Sequence, residues 1–182
     1  LEDIEKVWHG LTPPYIGLFE WLDGKTGIPK IQHTRTFHPM MLANPLNTEQ
    51  DFNRLDPNDF QAEWKWDGIR VQAVFDESSK QLYSRTGDDI SRAFPDIVGE
   101  LNGKAVLDGE LLVGDNFKAL PFNQLQQRLN RKSPTKTHLK NYPAFIRVYY
   151  MLFYNDDDIR DLPLKIRRQK LEDWMKRVKN SR

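Results

Sequence analysis

The sequence predicts an α+β domain built mainly of antiparallel sheet and flanked by helices. From residue 61 onward, short segments with alternating apolar and polar residues, typical of strands, are joined by turns. Segments with helical spacing interrupt them. The 182 residues are 38% apolar and 12% aromatic, which is enough for a core and excludes a disordered chain.

The first 60 residues are rich in Pro and Asn and only weakly periodic. Residues 11–30 contain Pro-Pro and glycine turns, so we interpret them as an irregular connection. Residues 37–47 are apolar and carry prolines near each end, and we expect them to pack on the domain that follows. We therefore divide the chain into an N-terminal lead-in over 1–44 and a domain over 45–182.

A hairpin begins the regular part of the domain. Residues 70–75 predict a half-buried strand, 76–80 a turn and 81–85 a second strand. The expected inward face of the first strand is Val71, Ala73 and Phe75.

Helices and longer strands follow the hairpin. A short helix is expected over 95–101, because Pro95 suits a first helical turn. Residues 104–113 predict two strand pieces that meet at Asp108-Gly109. An apolar, aromatic strand is expected over 144–154. A further helix carries on one face Phe122, Leu125 and Leu129. The last helix starts at Pro163 with Asp161 as its cap, and its buried stripe is Leu171, Trp174, Met175 and Val178.

Three short clusters combine charges with a glycine. Residues 65–70 precede the first strand, 84–87 follow the second, and 108–110 lie within the next strand pair. Glycine permits close approach of the backbone to a ligand, lysine and arginine suit a polyphosphate, and a carboxylate suits a ribose hydroxyl or a divalent metal. The alternative for each cluster is a turn at a sheet edge with solvated charges.

Net charge is only +1, but basic residues are unevenly placed. Residues 128–140 carry five basic residues and no acid, and 165–182 carry eight against two. We favour contact with DNA phosphates for the first segment; a solvated loop and an exposed helix face are the alternatives.

Several kinds of site are absent from the sequence. It has no cysteine, which excludes disulfides and Cys-ligated zinc and fits an intracellular protein. No run is long enough to cross a membrane, and no signal peptide begins the chain. The lack of an initiator Met suggests an excised or processed piece. The acidic residues 156–158 predict an exposed turn, and no metal-ligand spacing is shown by His9, His33, His38 and His138.

The order of these clusters resembles the adenylation domain of ATP-dependent DNA ligases. Residues 65–70, Lys-Trp-Asp-Gly-Ile-Arg, resemble the family's Lys-x-Asp-Gly-x-Arg nucleotidylation motif, and 84–91 and 107–113 resemble its next two motifs. Further similarity, to segments of the family and of a bacterial subgroup, lies in 37–47, 122–132 and 148–168, so that the resemblance covers roughly 37–175.

The resemblance implies a nucleotidyltransferase (ATP-grasp-like) ligase adenylation fold over 45–182, incomplete at the C-terminus. The family's later Glu-Gly-apolar-apolar-Lys and Lys-x-Lys strands are absent. Tyr150 stands where the family usually has Asp. We therefore expect this chain alone to adenylate itself slowly or not at all.

The resemblance also implies a reaction. Lys65 attacks the α-phosphorus of ATP, AMP passes to a 5′-phosphate at a nick in double-stranded DNA, and the 3′-hydroxyl displaces AMP. Nearby cations from Arg70 and Arg85 would favour the free amine and hold phosphate and ribose. Mg²⁺ or Mn²⁺ is the implied metal, with Glu110 and Asp67 as its candidate ligands.

The remaining implied contacts are with the nucleotide. Glu110 resembles the carboxylate that contacts ribose, Tyr149 the ring that stacks on adenine, and Glu63 with the Trp64 backbone the edge that reads the base. The implied ATP-binding set is Glu63, Trp64, Lys65, Arg70, Arg85, Glu110 and Tyr149.

Two other functions stay open. An RNA ligase or an mRNA capping enzyme shares the lysine motif, and a catalytically silent nucleotide- or DNA-binding piece fits the missing motifs. For the ligase we expect a monomer in the cytoplasm, associated with the nucleoid if bacterial, acting in DNA repair, replication and recombination.

Overall fold

An antiparallel sheet forms the centre of the computed structural model, which describes residues 2–31, 36–131 and 133–178. Among these residues the strand order is β2-β1-β3-β5-β6, with β4 paired to β3. The strands are β1 (Ile69–Phe75), β2 (Lys80–Ser84), β3 (Ala105–Asp115), β4 (Lys118–Ala119), β5 (Ala144–Tyr154) and β6 (Asp157–Asp158). The predicted class, mainly antiparallel α+β, is confirmed.

Seven α-helices and two short 3₁₀ turns accompany the sheet in the described part of the chain. The helices are α1 (Glu2–Trp8), α2 (Ile16–Leu22), α3 (Thr48–Asp51), α4 (Pro95–Glu100), α5 (Phe122–Leu129), α6 (Lys136–Asn141) and α7 (Leu164–Val178). The 3₁₀ turns are Pro57–Asp59 and Ser91–Ala93. The predicted helices at α4, α5 and α7 are confirmed.

The main core lies between one face of the sheet and the helices α4, α5 and α7. Each helix contributes buried apolar side chains, among them Ile97, Leu125, Leu171 and Trp174. Met175 packs at the edge of this core, as does Val178, so the predicted stripe of α7 is confirmed.

The start of α7 differs from the prediction. The carbonyl of Pro163 accepts the first helical hydrogen bonds, from the N–H groups of Ile166 at 2.9 Å and Arg167 at 3.1 Å. Pro163 therefore occupies the N-cap position, and Asp161, two residues earlier, does not cap the helix.

The predicted hairpin is confirmed, but β1 is not half-buried. Gln72 and Val74, on the face expected to meet solvent, are as buried as the inward residues. The Gln72 amide accepts from the His38 N–H at 2.7 Å and donates to the His38 carbonyl at 3.0 Å. The segment beginning at Thr36 thus covers this face, as expected for residues 37–47.

Two other predictions are corrected. Residues 11–30 contain the helix α2, because the Tyr15 carbonyl accepts from the N–H groups of Leu18 and Phe19, both at 3.1 Å, and starts a helical turn. Residues 104–113 do not form two strand pieces. They belong to one continuous strand, β3, and the irregularity at Asp108-Gly109 is a shift in its pairing with β5.

One residue of the basic segment 128–140 is structural. Arg128 is fully buried, donates to Asp96 at 2.6 Å, and donates to the carbonyls of Tyr142 at 2.7 Å and Ala93 at 2.9 Å. It therefore does not face a phosphate, contrary to our interpretation. The basic residues at positions 132, 179 and 182 lie outside the described part of the chain.

Candidate active site

The three charged glycine clusters meet at a single cleft of about 600 Å³. It lies on the face of the sheet opposite the main core, where residues 41–43 also contribute to its wall. All seven residues of the ATP-binding set line it: Glu63, Trp64, Lys65, Arg70, Arg85, Glu110 and Tyr149. Seven further residues that were not in the predicted ATP-binding set also line the cleft: Met41, Leu42, Ala43, Trp66, Gly68, Tyr150 and Arg167.

Lys65 is exposed in an irregular segment just ahead of β1. Gly68 lets that segment lie against β3: its N–H donates to Glu110 Oε1 at 3.2 Å. A Cβ at this position would lie 2.3 Å from the Leu111 carbonyl oxygen and 2.8 Å from Leu112 Cδ2. Only glycine fits there, so the glycine of the lysine motif fixes the distance between Lys65 and the carboxylate strand.

Arg70 is bound to a buried carboxylate on the cleft floor. Its Nε donates to Asp108 Oδ1 at 3.1 Å and its Nη2 to Asp108 Oδ2, while Nη2 also donates to the Met41 carbonyl at 2.7 Å. Burial raises the pKa of the Asp108 carboxyl, and the hydrogen bonds and charge of Arg70 oppose that shift. Much of the positive charge assigned to Arg70 is thus matched by Asp108.

The sequence did hold a signal for Asp108. It stands two residues before Glu110, and the period of two in a strand places both side chains on the face that carries Arg70. From the Asp-Gly-Glu cluster, only Glu110 was predicted to be a site residue.

Glu110 is half-buried at the centre of the cleft. Burial raises the pKa of Glu110 above its ordinary value. The hydrogen bonds from Gly68 and Tyr149 and the charges of Lys65 and Arg70 act in the opposite direction. The Tyr149 hydroxyl donates to Glu110 Oε2 at 3.5 Å. This carboxylate therefore links the lysine segment, β3 and β5.

Tyr149 is the extra residue of a β-bulge. Asp108 pairs with Tyr150 and the next residue, Gly109, with Val148, so that Tyr149 has no partner on β3. Successive strand residues normally face opposite ways, but the bulge turns Tyr149 and Tyr150 towards the same cleft. Burial, with the nearby Asp108 charge, raises the pKa of Tyr149, so its hydroxyl stays neutral.

Two predicted base-reading residues lie at the mouth of the cleft. Trp64 is 85% exposed. Glu63 is exposed and forms an ion pair with Arg168 of α7 at 3.5 Å, and it also accepts from the Gln61 amide at 2.9 Å. These contacts tie the segment before Lys65 to the last helix.

Arg85 lies in a turn after β2 that side-chain hydrogen bonds stabilise. The hydroxyls of Ser84 and Thr86 donate to Asp88 at 3.2 Å and 2.6 Å. Gly87 has φ of 87°, a conformation that favours glycine. The turn thereby presents the Arg85 guanidinium at the cleft wall.

Asp67 is exposed and is not among the residues that line the cleft. Within the described ranges no group of three or more His, Cys, Asp or Glu side chains could hold a metal ion. Residues 156–158 are exposed, as expected, but only Asp156 lies in the turn, because Asp157 and Asp158 form β6. His33 lies outside the described residues. In the part of the chain that the structure describes, no helix has the length and apolar content needed to span a bilayer.

Known DNA ligases resemble this chain in sequence and in structure. A family model described as "ATP dependent DNA ligase domain" matches residues 40–182. The chain is 35% identical over 114 residues to a DNA ligase of Archaeoglobus fulgidus, covering 60% of this chain and 20% of that protein. It is 33% identical over 147 residues to a probable DNA ligase of Koribacter versatilis, covering 76% of this chain and 25% of that protein.

One solved structure shares the fold. The ligase domain from M. tuberculosis LigD superposes with a TM-score of 0.52 at 23% identity, over 63% of this chain and 36% of that one. This likeness confirms the predicted fold. The chain spans about a fifth to a quarter of the length of the two relatives named above.

Proposed function

Since the chain belongs to the family of ATP-dependent DNA ligases, we propose that its cleft binds ATP and that Lys65 accepts AMP from it. The observation that carries the proposal is the convergence of Lys65, Arg85, Glu110 and Tyr149 on one cleft from four separate stretches of sequence. Such a mixture of cations, a carboxylate and an aromatic ring suits a nucleotide.

The first step is nucleotidyl transfer. The amine nitrogen of Lys65 attacks the α-phosphorus of ATP and forms a P–N bond. The bond from that phosphorus to the oxygen bridging to the β-phosphate breaks, and pyrophosphate leaves with the electron pair. The lysine nitrogen loses its proton to solvent. The protein's contribution is alignment and charge neutralisation.

The neighbouring residues have distinct parts in this step. Glu110 accepts a hydrogen bond from Gly68 and so holds the lysine segment, while its second oxygen, which accepts from the Tyr149 hydroxyl, would contact the ribose hydroxyls. Tyr149, neutral and half-buried, offers its ring to adenine. Arg85 supplies positive charge to the phosphates, and Arg70 acts jointly with Asp108 on the cleft floor. Glu63 with the Trp64 backbone reads the edge of the base.

A magnesium ion fits this set of residues. Mg²⁺ in nucleotide sites takes one or two protein carboxylates and completes its shell with phosphate oxygens and water. Glu110 is a half-buried carboxylate in the cleft and would be the protein ligand. Asp67, which does not line the cleft, would act by orienting the lysine loop. When bound, the ion neutralises charge on the triphosphate.

The later steps involve DNA. AMP would pass from Lys65 to the 5′-phosphate at a nick, and the 3′-hydroxyl would displace it. Arg131, Lys136 and Lys140 of the basic segment are exposed and would contact phosphates of the duplex. We place these activities in a monomeric, cytoplasmic enzyme, with residues 1–44 as the lead-in to a partial adenylation domain over 45–182.

The test is incubation with α-labelled ATP and Mg²⁺, followed by denaturing electrophoresis and intact mass. We expect a slowly formed, acid-labile AMP adduct. It should be absent from Lys65→Ala and unchanged in Lys118→Ala, which removes an exposed lysine on β4. Labelling by GTP in place of ATP would favour a capping enzyme.

Two results would contradict the proposal. An adduct that persists in Lys65→Ala would assign another nucleophile. A chain that forms no adduct and gains no thermal protection from ATP would not be a nucleotide-binding protein. Thermal protection without an adduct would support binding and overturn transfer to Lys65 by this chain.

A further inference from the structure

Arg147 occupies a cluster of aromatic rings beside the lysine segment. Its guanidinium carbon lies 5.1 Å from the centre of the Trp66 ring, 5.6 Å from Phe145 and 5.7 Å from Phe117. These distances are within the range of cation–π attraction. Trp66 is the residue that directly follows Lys65 in the chain.

A backbone hydrogen bond and a ring contact also hold the cluster together. Arg147 Nη2 donates to the Phe117 carbonyl at 2.8 Å, and the Phe117 and Phe145 rings meet edge to face with centres 5.6 Å apart. Phe117 belongs to the tight turn between β3 and β4, where its φ is 59°. Arg147 Nε is buried without a hydrogen-bond partner, so the rings and one carbonyl set the orientation of the guanidinium.

The lysine segment itself has little regular structure. Residues 60–68 contain neither helix nor strand. Its attachments include the Gly68 N–H, which donates to Glu110 at 3.2 Å, and the Trp66 ring, which lies on Arg147. Glu110 and Arg147 are direct partners in the pairing of β3 with β5. Two paired residues of the sheet thus hold the segment, Arg147 at Trp66 and Glu110 at Gly68.

We propose that Arg147 is a positioning residue for Lys65, acting through Trp66. The inference rests on the proposed nucleotidyl transfer. By holding the indole, the guanidinium fixes the backbone that carries the nucleophile, while Glu110 holds the same segment at Gly68. Arg147 is not among the residues that line the cleft, so it acts on the alignment of the amine and not on ATP binding.

The first test measures adduct formation against ATP concentration. In Arg147→Ala we expect the limiting rate constant to fall about tenfold, the loss of one partly buried cation–π contact. The ATP concentration that gives half of the limiting rate should differ from the wild-type value by less than about twofold, because Arg147 does not contribute to ATP binding. Arg147→Lys keeps a cation over the rings and should recover part of the rate. The control is Arg177→Ala, which removes an arginine 5.4 Å from Tyr154 on the distant part of α7 and should leave the rate unchanged.

A second test separates Arg147 from general folding. If it acts through Trp66, Trp66→Leu should lower the rate similarly, and adding Arg147→Ala should change it little further. Fully additive losses would overturn the proposal. So would a rise in half-saturating ATP at an unchanged limiting rate.

A third test does not depend on catalysis. Hydrogen exchange of peptides over 60–68, followed by mass spectrometry, should quicken in Arg147→Ala and not in Arg177→Ala, while peptides of β1 and β3 keep their protection. If the wild-type chain forms no adduct, the proposed function fails and this measurement still decides the positioning. Unchanged exchange over 60–68 would overturn it.

Discussion

Arg70 and Asp108 form a bidentate ion pair on the floor of the cleft, in which the Asp108 side chain is fully buried and the Arg70 side chain is 19% exposed. Such a pair fixes both side chains, because the planar fork of arginine matches the two carboxylate oxygens. Removing either partner leaves a buried charge without compensation.

Arg70→Met should therefore destabilise the chain by about 3–5 kcal/mol. The reason is the unpaired Asp108 carboxylate, and not the lost attraction alone. Urea unfolding followed by tryptophan fluorescence measures the change. The double variant Arg70→Met with Asp108→Asn removes both charges and should recover a large part of the loss. A single variant within about 1 kcal/mol of the wild type would contradict the role of the pair.

Gly68→Ala should abolish close approach of the lysine segment to β3. The added Cβ would lie 2.3 Å from the Leu111 carbonyl, so the segment must move away and the bond from Gly68 to Glu110 is lost. We expect a loss of about 1–3 kcal/mol in unfolding free energy and no detectable AMP adduct. The matched control is Gly99→Ala in α4, where the Cβ meets nothing within 4 Å. It should stabilise by up to about 1 kcal/mol, and a loss there equal to that at Gly68 would exclude the steric explanation.

Glu110→Gln should change the pH dependence of stability in a defined direction. The raised pKa of Glu110 means that the folded state holds its proton more tightly than the unfolded state does. The wild type therefore loses stability relative to Glu110→Gln as the pH rises from the ordinary value of 4.5 through the raised value. Urea unfolding of both proteins at a series of pH values measures the difference. The raised pKa of Glu110 would be contradicted if the difference in unfolding free energy between the two proteins did not change with pH, or if the wild type gained stability relative to Glu110→Gln as the pH rises.

Arg128 should behave as a structural residue within the basic segment. Arg128→Met leaves Asp96 without its partner and should cost about 3–5 kcal/mol, measured by urea unfolding. Arg131→Ala, at an exposed position, should change stability by less than about 0.5 kcal/mol. The Arg131→Ala substitution should also reduce the dependence of nicked-DNA affinity on salt concentration by the amount expected for about one phosphate contact. Equal stability effects at the two positions would refute this assignment.

The sequence was most informative where the charged residues of the site and a sterically required glycine lie together in one short segment. In residues 65–70 the glycine lies between the lysine and the arginine because the segment must approach β3 closely at Gly68, and this steric requirement is visible in the sequence itself. Alternation likewise located the first strand of the hairpin, and a run of apolar and aromatic residues located the long strand over 144–154. The family resemblance then brought distant clusters into one expected site.

The contacts that could not be predicted from the sequence join residues that are far apart in the chain. Gln72 looks like an outward polar residue, but its amide serves the backbone of His38, which lies 34 positions away. Asp108 looks like part of a metal-binding cluster, and its actual partner is an arginine 38 positions earlier. Nothing in the sequence indicates that Arg147 donates to the carbonyl of Phe117, which lies 30 positions earlier. Spacing cannot report such contacts.

The bulge at Tyr149 affects where β5 could lose a residue. Deleting Tyr149 would bring Tyr150 and Val148 into an uninterrupted ladder with Asp108 and Gly109, and the cleft wall would lose one ring. A second unpaired residue, Leu152, offers the same freedom. A deletion elsewhere in β5 would turn every later side chain to the opposite face of the sheet. Because Tyr149 is the proposed adenine-stacking residue, deletions among natural variants of this strand should fall at Leu152.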